Sequence, residues 1–105
     1  MEKLMDEIIK FRDDRNWKQF HSAENLAKSI SIEAAELLEN YQWGNSNVDL
    51  ENVKDEIADI LIYSLLFIEK YGFNFKEIIL EKIEKNNKNY PISKSYGKSD
   101  KYNKL

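Results

Sequence analysis

Only three glycines and one proline punctuate the 105 residues of this chain. These two residue types are the strongest local breakers of regular structure, so their scarcity favours a few long helices over a many-turned β fold. Hydrophobic spacing agrees. Leu4, Ile8 and Phe11 recur at helical intervals and predict a first helix from about Glu2 to about Arg15. Leu26, Ile30, Leu37 and Tyr41 predict a second, N-capped by Ser22 and ending near Gly44. A third runs from about Leu50 to Tyr71, with Val53, Ile57, Ile60, Leu61 and Ser64 on one face. From Ile60 to Ile68 it is apolar nearly all round, the pattern of a buried central helix. Gly72 is placed to stop it. Asn74 and Glu77 then form a capping-box-like start to a fourth helix reaching about Asn87.

The expectation is an all-α, compact four-helix domain over residues 1–97, with a polar tail over 98–105. The Lys-rich stretch from Tyr90 onward is expected to be ordered only where it touches something. A domain this short buries a smaller share of its surface than a large one. The Ile60–Ile68 run also offers more apolar surface than three short neighbours cover, so completion by oligomerisation is expected.

Charge narrows the function. A net charge of −3 argues against a partner made of polymeric nucleic acid, which usually meets a basic stripe. A small phosphorylated ligand stays compatible, because a bound metal reverses the local charge. The absence of cysteine excludes disulfides and thiolate metal sites, and one histidine excludes a multi-histidine site within one chain. The most apolar run is too short to span a bilayer. The first residues are charged and amphipathic rather than a secretory signal, so a soluble cytoplasmic protein is expected, with no membrane partner.

The informative feature is a pair of acidic motifs. The second helix carries Glu33-Ala34-Ala35-Glu36 and the third carries Glu56-Ile57-Ala58-Asp59. Residues three apart on a helix project in neighbouring directions, so each motif offers two carboxylates side by side. Glu33 follows Ile30 by three residues and precedes Leu37 by four, within the apolar stripe; Glu56 holds the same relation to Val53 and Ile60. Carboxylates are costly in such places unless paired or bound to metal. No Lys or Arg is spaced to neutralise all four. Packed antiparallel, the two helices bring four like charges into one cleft, and a divalent cation relieves the repulsion. All-oxygen ligation suits magnesium, with manganese as a substitute. A solvated charged face is the plain alternative, and Glu39, Glu51 and Asp55 fit it. A di-iron bundle needs Glu-x-x-His on two helices, and neither motif contains histidine. Between the first two helices lies an aromatic stretch, Asn16-Trp17-Lys18-Gln19-Phe20-His21, readable either as a plug sealing the bundle or as a ligand wall.

Glu-x-x-Glu followed by Glu-x-x-Asp resembles the all-α nucleoside triphosphate pyrophosphohydrolases of the MazG-like superfamily. Arg15 through His21, Asn25-Leu26-Ala27, Gln42-Trp43, Asp59 through Tyr63, and Lys82 through Asn86 to Tyr90-Pro91 resemble the branch containing dCTP pyrophosphatase. The likeness covers roughly Phe11 to Gly97. It implies magnesium ligation by Glu33, Glu36, Glu56 and Asp59, with Glu33 or Glu36 also orienting or deprotonating the attacking water. It implies a base and sugar pocket of Trp17, His21, Trp43 and Tyr63, with Lys82 and Asn86 reaching the phosphates. It implies hydrolysis of a nucleoside triphosphate to monophosphate and pyrophosphate, favouring dCTP or a modified pyrimidine deoxynucleotide, by a homodimer or homotetramer. Ala23-Glu24 and Asn89 depart from the Pro-Arg and basic residues common at those places in the branch. A catalytically silent helical module that binds a nucleotide or protein is the alternative, and so is a structural metal bundle. The acids in the apolar stripes argue against a silent module, because packing alone would not need them there.

Overall fold

The computed structural model describes residues 2–104, and every regular element among them is helical. They fall into two units, divided between Gly72 and Phe73. The first holds α1 (Glu2–Asp14), a 3-10 turn (Lys18–Phe20), α2 (Ala23–Glu39) and α3 (Leu50–Tyr71). The second holds α4 (Phe75–Asn89), the short α5 (Ile92–Ser95) and a 3-10 turn (Tyr102–Lys104). The expected limit at residue 97 falls inside this second unit.

Capping residues set the helix starts. Ser22 Oγ accepts from the Asn25 N–H at 3.1 Å, Asp49 Oδ1 from Asn52 at 3.2 Å, and Asn74 Oδ1 from Glu77 at 2.9 Å. Each satisfies a backbone donor that the first helical turn leaves free. Gly72 ends α3 at φ 69°, a left-handed conformation that glycine adopts without a Cβ penalty. α2 ends at Glu39 rather than near Gly44. Past that point Tyr41, Gln42 and Gly44 donate to carbonyls three residues back, so the chain tightens into turns. α4 runs two residues beyond Asn87, and Pro91 follows its last turn. In the tail, Tyr90 and Tyr102 meet edge to face at 6.1 Å.

α2 and α3 form the main packed pair of the first unit. Glu33 meets Glu56 while Asn40 meets Asn52, so numbering rises along one helix as it falls along the other, and the pair is antiparallel. The buried core is small: Ile8 from α1, Leu26 from α2, and Leu65 and Leu66 from α3. Ser64 sits in the apolar stripe without a free hydroxyl, because its Oγ donates to Ile60 O at 2.7 Å. The Ile60–Ile68 stretch is less enclosed than its composition predicts. Leu61 is 54% exposed and Ile62 39%, because α1 and α2 cover only part of the circumference of α3. No helix among the described residues is long and apolar enough to cross a membrane.

Candidate active site

The antiparallel α2–α3 pair brings the two acidic motifs together. Single carboxylate oxygens of Glu33, Glu56 and Asp59 all lie within 4.8 Å of one another. Glu36, one turn along α2, adds its charge to the same group. The Glu33 carboxyl is pushed up from 4.5 to about 7. The largest cause is the Glu56 carboxyl beside it, which favours the protonated form of Glu33 as a hydrogen-bond donor; burial and the neighbouring Glu36 and Asp59 add to it. Among the described residues no donor reaches the buried Glu33 Oε2 or Glu56 Oε2. Buried carboxylate oxygens without a donor are unfavourable unless a proton or a cation satisfies them. Oxygen ligands alone, with several negative charges, suit a hard divalent ion. The residues present therefore fit the expected metal.

Beside the acids opens a cavity of about 410 Å³, within the range of small-ligand pockets. α3 supplies one wall through Asp59, Ile62, Tyr63 and Leu66; residues of α1 and the following turn supply the other, with Phe11, Trp17 and His21 prominent. Asp59 belongs both to the cavity and to the acidic cluster. Of the aromatic stretch after α1, Trp17 and His21 line the cavity, while Phe20 is exposed. Phe11 holds Trp17 edge to face at 5.7 Å, and the Arg15 guanidinium lies 3.8 Å from the Phe11 ring centre. His21 meets Tyr63 edge to face at 6.4 Å. Burial lowers the His21 pKa, and the positive charges of Arg12 and Lys70 lower it further, so the ring is neutral near pH 7. Burial and then the acids Glu33, Asp59 and Glu36 raise the Tyr63 pKa, which keeps the phenol protonated.

Three of the four expected pocket residues meet here. Trp43 does not: it lies in the turns after α2 and is 88% exposed. Lys82 and Asn86 lie four residues apart on α4, one face of a helix in the second unit. The sequence reading missed Arg12, which is 4% exposed and lines the cavity. Its Nε donates to Asp13 Oδ1 at 2.8 Å and its Nη1 to Glu69 Oε2 at 3.0 Å, tying α1 to α3. The signal was present. Arg12 follows Ile8 by four residues, a charge in an apolar stripe like the acids.

The profile of the MazG-like family matches residues 28–105. dCTP pyrophosphatase 1 of Bos taurus is 30% identical over 104 residues, covering 90% of this chain and 62% of that protein. The Homo sapiens protein of the same name is 29% identical, covering 90% of this chain and 61% of its own length. The chain thus spans about three fifths of these curated relatives. A crystal structure of a pyrophosphatase from Archaeoglobus fulgidus superposes with a TM-score of 0.81 at 43% identity, covering 87% of this chain and 92% of that one.

Proposed function

The chain belongs to the MazG-like family, and on that footing we propose that it is a nucleoside triphosphate pyrophosphohydrolase, converting a nucleoside triphosphate and water into the monophosphate and pyrophosphate with magnesium. The observation that carries this reading is the junction of an acidic cluster with an aromatic cavity, joined at Asp59. A nucleoside triphosphate has the same two-part chemistry: a flat base and a polyanionic tail.

Glu33, Glu36, Glu56 and Asp59 hold the metal. Bound there, magnesium, or manganese in its place, supplies Lewis-acid stabilisation of the charge that grows on the leaving pyrophosphate. One of Glu33 and Glu36 orients the attacking water and accepts its proton. Trp17 and Tyr63 enclose the base and sugar. The neutral imidazole of His21 offers one donor and one acceptor to their edges. Ile62 and Leu66 exclude water from the pocket floor.

The relatives named dCTP pyrophosphatase support a pyrimidine deoxynucleotide, dCTP or a 5-substituted form, as the preferred substrate. We propose a homodimer or homotetramer as the working form, supported by the exposed Ile57 and Leu61 on α3.

Phosphorus NMR of a triphosphate incubated with protein and magnesium tests the reaction. Monophosphate and pyrophosphate are the expected products; diphosphate with orthophosphate would overturn the reading. A panel of triphosphates tests the preference, and equal kcat/KM for dCTP and dATP would remove it.

A further inference from the structure

We propose that Asn40 and Asn52 form a clamp that holds the α2 acids in register with the α3 acids, so that both are positioning residues for the metal. The inference rests on the metal reading above.

Asn40 is the C-cap of α2, and its Nδ2 donates to Asn52 Oδ1 on α3 at 3.0 Å. The same Nδ2 lies 3.3 Å from Glu36 O and 3.2 Å from Leu37 O. Two amide hydrogens serve three acceptors, so one is shared, and Asn40 is fastened to the backbone of Glu36 itself. On the other helix, Asn52 precedes Glu56 by four residues, one helical turn. The asparagine link therefore lies one turn from the level at which α2 and α3 present Glu36 and Glu56. These four residues and Glu39 line one polar cavity of about 310 Å³.

A link is needed at this place. The converging carboxylates repel one another, and that repulsion drives the two helices apart at the level of the site. Apolar packing at this end offers little resistance. Leu38 and Leu50, the large apolar residues on either side of the connection, are 69% and 74% exposed. The asparagine hydrogen bond opposes the splaying and keeps the Glu36 backbone at a fixed distance from the turn that carries Glu56.

Asn40 has a second duty, since it satisfies carbonyls at the end of its own helix. Asn52 has none of that kind. Its side chain is exposed, and its capping contact to Asp49 is made by its backbone N–H. Alanine is also the better helix former. Asn52→Ala therefore isolates the clamp. A merely structural role predicts a lower metal-free melting temperature with unchanged metal affinity.

The test is manganese titration followed by electron paramagnetic resonance of the free ion, on wild type, Asn52→Ala, Asn40→Ala and the double variant of the full chain. The clamp predicts about three- to tenfold weaker manganese binding in Asn52→Ala, the worth of one net hydrogen bond. It predicts no loss of metal-free melting temperature in that variant. It also predicts that Asn52→Ala adds little to the loss already caused by Asn40→Ala, because both remove the same bond. Wild-type affinity in Asn52→Ala, or fully additive losses, would overturn the clamp alone. A wild type that binds no manganese would overturn the metal reading and the clamp with it.

Discussion

Glu33 retains its proton to about pH 7 because the Glu56 carboxyl beside it favours the protonated form, burial disfavours the charge, and Glu36 and Asp59 stand nearby. Unfolding returns the group to its ordinary value of 4.5, so above that pH the folded form binds the extra proton. Stability from this group is complete below pH 4.5 and is lost as pH rises through 7. In chelator, the melting temperature of wild type should therefore fall between pH 5 and pH 8 relative to Glu33→Gln, which lacks the titration. Parallel melting curves for the two proteins would contradict the raised Glu33 pKa. Magnesium should reverse the trend, since the cation binds the deprotonated cluster and stabilises the folded state by about 2.7 kcal/mol at one hundred times its dissociation constant. Glu36→Gln and Asp59→Asn test the same charges differently. Each relieves repulsion, so the metal-free variants should melt at or above wild type. Each should also lose magnesium-linked stabilisation and lower kcat by more than the roughly 10–100-fold typical of a metal site's outer partners. Full turnover in Glu36→Gln would remove that residue from the site.

Arg12 ties α1 to α3 by an ion pair. Its guanidinium is buried, and Glu69 is the partner on the other helix. Glu69→Ala leaves Asp13 as its remaining ion-pair partner, so destabilisation of about 2 kcal/mol is expected rather than the larger loss of a fully orphaned charge. Urea denaturation measures it, and a change within about 0.5 kcal/mol, the range of an ordinary surface substitution, would show that the bridge contributes nothing. Because α1 carries a wall of the cavity, the same variant should raise KM more than it lowers kcat. The helices themselves were legible in the sequence, since periodicity is a local property and Ser22, Asn74 and Gly72 mark their ends by local chemistry. The end of α2 was not legible, because the apolar spacing continues through Tyr41 while the backbone has already tightened into turns. The two acidic motifs were readable as intruders in apolar stripes. Trp43 was assigned by likeness alone, and its placement depends on a turn conformation that residue spacing does not encode. The Asn40–Asn52 bond was invisible for the same reason: it joins residues whose proximity follows from the register of two helices.

On the scale of the whole molecule, the four buried apolar residues among those described form a small core, while α3 leaves Ile57 and Leu61 uncovered. Sedimentation velocity at micromolar concentration should show a species heavier than the 12.5 kDa chain. A single 12.5 kDa species would contradict the proposed assembly. Substituting Leu61 by lysine should shift the distribution towards the monomer, because an interface core rejects an unpaired charge. The cavity has a different lesson. One of its walls comes wholly from residues 7–21, whereas the acids lie on α2 and α3, within the stretch of 28–105 that the family profile matches. The other wall, with Tyr63 and Asp59, shares α3 with the acids, so on the proposed reading only one side of the base pocket is written apart from the hydrolytic centre. Exchange of the half-exposed wall residues Phe11 and Trp17 would present a new face to the base while leaving the buried Ile8 and the Arg12–Glu69 tie in place. On the proposed reading, a lineage built this way can change its diet of nucleotides at a few outward-facing positions, without relearning how to cut them.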